Sequence, residues 1–273
     1  MAGNFWIAFL LTVFSGLATG VGSSIAFFAK STNTKLLSYV LGLSAGVMIY
    51  VSFVEIFPTA MGEFMLKFGE KKSIFFTIVS FFGGMLLIAI IDKFIPSMEN
   101  PHEIRSVEDM DNPKKEKKFN KLYRMGILTA VALAIHNFPE GIATFMAALN
   151  DPTVGVAIAV AIAIHNIPEG IAVSVPIYYA TGSRKKAFFY SFLSGLAEPV
   201  GALFAYWLLM PFLTSETSGI AIGIVLAAVA GIMVFISLDE LLPTAEAYGE
   251  HHISIYGVVS GMLIMAFSLL FLA

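Results

Sequence analysis

Apolar residues run through this chain in eight long stretches, separated by short polar joints. The stretches are roughly Phe5 to Ala29, Leu36 to Phe57, Ile74 to Ile95, Tyr123 to Leu149, Val154 to Ala180, Ala187 to Phe212, Gly219 to Leu242 and Ile253 to Ala273. Each holds the 20 or so residues that a helix needs to cross the hydrocarbon core of a bilayer. The pattern predicts an all-α membrane protein with eight transmembrane helices. The spans and their joints use nearly the whole chain, so residues 1–273 read as one transmembrane domain with no room for a soluble catalytic unit. The first stretch lacks a basic leader and its first cations follow it, which marks it as a retained span rather than a cleaved signal.

Composition agrees with this pattern. Of 273 residues 58% are hydrophobic and only 13% charged, against about 25% charged in an ordinary soluble domain, and the mean hydropathy is +0.83. The chain has no cysteine, so any metal must be held by nitrogen, oxygen or a thioether. The net charge of -3 says little; the placement of the cations says more. With the amino terminus outside, Lys30, Lys35, the cations from Lys93 to Arg124, and Arg184, Lys185 and Lys186 lie inside, against Lys67, Lys71 and Lys72 outside. That distribution puts both termini outside. The polar segment 96–121, with the single histidine His102, reads as a mobile cytoplasmic loop between spans three and four.

Internal repeats set the architecture. AVALAIHNFPEGIA at 130–143 and AVAIAIHNIPEGIA at 159–172 agree at twelve of fourteen positions, so spans four and five are duplicates. AGVMIYVSFVEIFPTA at 45–60 aligns with AGIMVFISLDELLPTA at 230–245, SGLATGVG at 15–22 with SGLAEPVG at 194–201, and Gly84-Met85-Leu86 with Gly261-Met262-Leu263. The order is 3+2+3, with the outer triplets inverted about a central pair. Inverted repeats around a central site are the architecture of alternating access.

The central pair carries the chemistry. His136, Asn137, Pro139, Glu140 and Gly141 recur as His165, Asn166, Pro168, Glu169 and Gly170. At about 100° per residue, a helix with His136 at zero places Asn137 near 100° and Glu140 near 40°. The carboxylate therefore lies between the other two, and two such helices could enclose adjacent cation sites bridged by Glu140 and Glu169. Glu198 in span six adds a third buried acid. A carboxylate at bilayer depth costs on the order of 3 kcal/mol, and Arg124 and Arg184 are roughly 18 Å or more away along the helices. Protonation or a bound cation must compensate, and neutral imidazole selects divalent transition metals. Zn²⁺ suits the mixed nitrogen and oxygen set, with Fe²⁺, Mn²⁺, Co²⁺ and Cd²⁺ as rivals. Pro139 and Pro168 each free a carbonyl one turn back, which predicts a kinked and broken helix at the ligands.

Flanking residues suggest a path. Ser44, Met48, Ser52 and Glu55 follow helical spacing and could line an entrance. Glu55 is expected to end span two outside, and Asp239 and Glu240 to end span seven inside, as relays at opposite mouths; a role as helix-end charges is equally compatible with their positions. Glu246, Glu250, His251 and His252 could catch an ion leaving on the inner side.

HNFPEG, HNIPEG and GLAEPVG, with the eight-span pattern, resemble the ZIP (Zrt/Irt-like) family of metal transporters and its bacterial ZupT-like zinc permeases. The resemblance covers the whole chain and implies a 3+2+3 bundle with a binuclear centre in a multi-pass protein of a bacterial inner membrane. One site would use His136, Glu140, His165 and Glu169 with help from Met48; the other Asn137, Glu140, Asn166, Glu169 and Glu198. The loop lacks the histidine-rich tract of many family members. The expected function is import of Zn²⁺, and of Fe²⁺ or related ions, without enzymatic activity or a resident cofactor. The expected partners are divalent ions and the bilayer, not nucleic acid, and the oligomeric state, a homodimer included, stays open. An intramembrane zinc hydrolase is the alternative, disfavoured because HNxPEG lacks the second histidine and adjacent base of HExxH.

Overall fold

The computed structural model describes residues 4–28, 34–94, 115–209, 217–248 and 251–272. Their helices are α1 (Phe5–Phe28), α2 (Thr34–Val51), α3 (Phe57–Met65), α4 (Glu70–Phe94), α5 (Lys115–Asn150), α6 (Pro152–Thr181), α7 (Arg184–Gly195), α8 (Ala197–Phe204), α9 (Ser218–Ile236), α10 (Leu242–Tyr248) and α11 (His251–Leu272). Among the described residues seven helical segments are long and apolar enough to cross a membrane: Phe5–Ser24, Ser38–Met65, Glu70–Lys93, Pro152–Ile171, Arg184–Trp207, Gly219–Glu246 and His251–Leu270. The remaining expected stretch, Tyr123 to Leu149, falls within α5. His102 and Glu250 lie outside the described residues. The expected mobile segment 96–121 needs correction at its end, because α5 already begins at Lys115.

Local chemistry explains the helix ends. Asp151 caps α6 by accepting the amide of Thr153 at 2.8 Å, and Pro152 follows in the first turn, where its missing N–H costs nothing. The same helix stops at Gly182, whose φ of 62° lies in the left-handed region that glycine enters freely. Ser183 then accepts the amide of Lys186 and starts α7.

Two packed groups emerge. Helices α1, α5, α6, α7 and α8 pack on one another, as do α2, α3, α4, α9, α10 and α11; α2 against α6, α5 against α9 and α11 against α6 join them. Lipid tails are as apolar as leucine, so membrane helices associate through close backbone approach at small residues rather than through hydrophobic contrast. The glycines here do that work in matched pairs. A Cβ at Gly46 would lie 2.0 Å from the Val258 carbonyl oxygen, and one at the aligned Gly231 2.0 Å from that of Phe81. Likewise Gly261 meets Leu43 oxygen and Gly84 meets Ala228 oxygen; Gly141 meets Glu198 oxygen and Gly170 meets Thr19 oxygen. Outward faces carry the large apolar side chains, among them Phe75, Phe82, Leu86, Leu263 and Phe267. At one end Phe5, Trp6, Phe9, Phe145, Tyr206 and Trp207 form a ring cluster with Trp6 and Trp207 exposed, the amphipathic aromatic belt of a membrane interface.

Three sequence expectations are corrected. First, α5 and α6 run through Pro139 and Pro168 without interruption. Each proline removes one hydrogen bond, and the packing of these helices on several neighbours holds the remaining turns in place. The break occurs in span six instead, at Leu196 between α7 and α8, one turn before Pro199. Second, Glu55 does not end its helix. It sits in a π-helical turn, Ser52–Ile56, and α3 carries the same rod on to Met65. Third, Asp239 and Glu240 sit in the matching π-helical turn Ser237–Leu241, with α10 beyond it.

Candidate metal centre

The duplicated helices α5 and α6 pack face to face, and their HNxPEG segments meet in the interior. His136 Nε2 lies 3.1 Å from Glu140 Oε1 one turn along its own helix and 3.4 Å from Glu169 Oε1 on the neighbouring one. His165 Nε2 reaches Glu140 Oε1 at 3.3 Å and Oε2 at 3.4 Å. All four side chains are buried. Despite these short separations, Glu140 Oε1, both carboxylate oxygens of Glu169, both ring nitrogens of His136 and Nδ1 of His165 form no hydrogen bond among the described residues.

That combination has a chemical meaning. Each unsatisfied buried polar group costs on the order of 1–3 kcal/mol, and a charged one more. Yet the spacing fits a common ion. With bonds of about 2.1 Å, the edge of a tetrahedral zinc shell is about 3.4 Å, close to the nitrogen-to-oxygen separations here. Ligand atoms of His136, His165 and Glu169 all lie within 4.8 Å of one another, so one divalent ion can be ligated by all three. Glu140, placed between the two imidazoles, is positioned to share it.

A second polar constellation adjoins the first. Asn166 Nδ2 donates to Glu198 Oε1 at 2.5 Å and to the Ser15 carbonyl at 2.9 Å, and the Ser15 hydroxyl donates to Glu198 Oε2. Glu198 lies in the first turn of α8, where the helix dipole favours a carboxylate, and near enough to Glu140 and Glu169 to feel their charge. On the other copy Asn137 Nδ2 donates to the Ser194 carbonyl at 3.2 Å. Both asparagines thus spend their amide hydrogens on the fold. Their Oδ1 atoms stay buried and unpartnered, two further neutral oxygen ligands for a cation.

The flanking residues divide. Ser44 and Met48 are buried, and the Ser44 hydroxyl lies 3.4 Å from the His165 carbonyl and 4.0 Å from the Met48 sulfur. Those contacts bring Met48 beside the centre. Glu55 is half-buried, Asp239 exposed and Glu240 half-buried, and none of the three joins the central cluster. Asp239 and Glu240 are each engaged by neighbours. His251 Nδ1 pairs with Glu246 Oε1 at 2.8 Å on the surface.

Some polar residues escaped the sequence reading. Ser15 is a direct partner of Glu198, and its only signal was its alignment with Ser194. Ser23 donates to Ser191 at 2.6 Å, and Ser191 to the Gly170 carbonyl at 3.0 Å, inside the same group of helices. Buried Glu63 accepts from Asn150 Nδ2 at 2.7 Å; it was missed because span two was ended at Phe57.

The comparisons with known proteins fit this centre. Residues 96–269 match the family described as ZIP Zinc transporter. The chain is 64% identical to the zinc transporter ZupT of Oceanobacillus iheyensis over 99% of both chains. It is also 64% identical to that of Lysinibacillus sphaericus over 100% of both, and 60% identical to that of Streptococcus mutans over 99% of both. Extent and identity together leave one assignment: this chain belongs to the ZIP zinc transporter family.

Proposed function

We propose that the chain carries Zn²⁺, and with it related ions such as Fe²⁺, Mn²⁺, Co²⁺ or Cd²⁺, across a bacterial inner membrane into the cytoplasm by alternating access. The observation that carries this reading is the buried cluster of two imidazoles and two carboxylates with unpartnered acceptor atoms, built from a duplicated helix. His136, Glu140, His165 and Glu169 form the first ion position, bordered by Met48. Asn137 and Asn166, through Oδ1, and Glu198 form the second, bridged to the first by Glu140 and Glu169. An arriving hydrated ion exchanges water for nitrogen and oxygen ligands one at a time, which keeps the barrier to entering and leaving low. Ser44 lies along the way in, Glu55 at the outer mouth, and Asp239 and Glu240 at the inner mouth.

Eight spans in a 3+2+3 order with both termini outside belong to the same proposal. The matched glycine crossings of α2 on α11 and of α9 on α4 support it, as do the matched π-helical turns Ser52–Ile56 and Ser237–Leu241. Equal chemistry facing opposite sides of the membrane suits a carrier that opens alternately to each. A family of transporters and the absence of an HExxH base leave the hydrolase alternative without support. Uptake of radioactive zinc by cells or liposomes carrying the parent, Glu140→Ala or Glu169→Ala tests the reading. Loss of uptake in both variants is expected, and undiminished uptake in both refutes the site.

A further inference from the structure

The inverted repeat is followed closely around the second ion position, except at one residue. Ser15 aligns with Ser194, and each hydroxyl donates to the carbonyl three residues back, Thr12 at 3.0 Å and Ser191 at 2.7 Å. Asn166 donates to the Ser15 carbonyl and Asn137 to the Ser194 carbonyl. Gly22 packs on the Ile167 carbonyl and Gly201 on that of Phe138, and Gly16 and Gly195 pack on each other. Within this frame Glu198 aligns with Thr19. Glu198 is held by Ser15 and Asn166. Thr19 is fully buried, its hydroxyl lies against Gly195, next to Ser194, and it has no hydrogen-bonding partner among the described residues. The Asn137 Oδ1 atom is likewise unpartnered. One copy therefore presents a carboxylate, and the other a hydroxyl in the equivalent cradle.

We propose that Thr19 is a specificity-determining residue of the central site: with Asn137 it offers a neutral, weakly held oxygen face opposite Glu198, and its lack of charge keeps the site from trapping the divalent ion. The proposal rests on the transport reading above. Hard and borderline divalent cations are retained in proportion to the number of anionic oxygens around them, and a low-dielectric interior magnifies each added charge. Three carboxylates, Glu140, Glu169 and Glu198, surround the two ion positions. A fourth at position 19 would complete a symmetric cage from which an ion leaves slowly. A carrier needs the reverse, an ion held well enough to be selected and loosely enough to be delivered.

The test uses the full-length protein with three side chains at one position: Thr19→Glu, the neutral isostere Thr19→Gln, and Thr19→Val, which keeps the shape and removes the hydroxyl. Zn²⁺ affinity is measured by competition with a fluorescent chelator in detergent, and Zn²⁺ turnover in proteoliposomes. Thr19→Glu should bind Zn²⁺ about tenfold more tightly than Thr19→Gln while turning over about tenfold more slowly. Thr19→Val should bind Zn²⁺ more weakly than the parent and discriminate less between Zn²⁺ and Mn²⁺. Equal affinity and turnover in the Glu and Gln variants, or a Val variant identical to the parent, overturns the assignment of Thr19. A parent protein that neither binds nor moves Zn²⁺ would instead overturn the transport reading, and the two failures are told apart by that one control.

Discussion

The crossing of α5 and α8 makes a sharp demand on Gly141. A methyl group there would sit 2.0 Å from the Glu198 carbonyl oxygen and 2.5 Å from its Cα. A carbon and a carbonyl oxygen approach to about 3.3 Å at closest, so Gly141→Ala must push α8 from α5 by more than about 1 Å. Overpacking of that kind costs about 1–3 kcal/mol, which a chain already threaded through the bilayer can absorb. The site is less tolerant: it needs ligands held to about 0.5 Å, and Glu198 moves with α8. A displacement of about 1 Å lowers rates by about a hundredfold where geometry is decisive. The initial rate of zinc uptake in proteoliposomes, normalised to inserted protein, should therefore fall by between about tenfold and a hundredfold. Gly83→Ala is the matched control, since a Cβ there meets nothing within 4 Å; it should transport like the parent. Gly141→Ala at the parental rate would show that the close approach of α5 and α8 does not set the ion site.

Other consequences are as direct. Asn150→Ala removes the hydrogen bond that satisfies buried Glu63, so the detergent-solubilised protein should lose about 1–3 kcal/mol of stability, read as a lower thermal midpoint; an unchanged midpoint would show the bond to be idle. His251→Ala breaks an exposed pair with Glu246 and should change stability by less than about 1 kcal/mol, with uptake unaltered. Protons and metal compete for the imidazole nitrogens and carboxylate oxygens of the centre, so Zn²⁺ affinity should fall as pH drops below neutrality; affinity that rises on acidification contradicts ligation by His136 and His165.

Much of this was legible because membrane physics leaves few options. A run such as Ile74 to Ile95 has no fold available other than a helix, and two HNxPEG copies could be recognised because polar residues at bilayer depth are rare. Contacts between helices far apart in sequence were not legible. Nothing about Ser15 alone announces that its hydroxyl will meet Glu198 from across a neighbouring helix, and the partner of Glu63 comes from the far end of α5. Proline misled in both directions. The segments around Pro139 and Pro168 stay helical because neighbours hold them, whereas the pause at Leu196 precedes a proline whose effect had gone unremarked. The helix wheel also failed locally: Ser44, Met48 and Ser52 share a buried face, but Glu55 lies within a turn of wider pitch and emerges half-exposed.

That wider pitch also carries a record of descent. A π-helical turn arises when one residue is inserted into an α-helix whose ends are already fixed by packing. The turns at Ser52–Ile56 and Ser237–Leu241 occupy aligned places in two segments that now share only part of their sequence. A single insertion in an ancestral three-helix unit, before that unit was copied and turned over, accounts for both; separate insertions would have to strike the same residue twice. The widened turn is thus older than the pairing of the halves, and deleting Phe53 or Leu238 would undo a feature inherited by each.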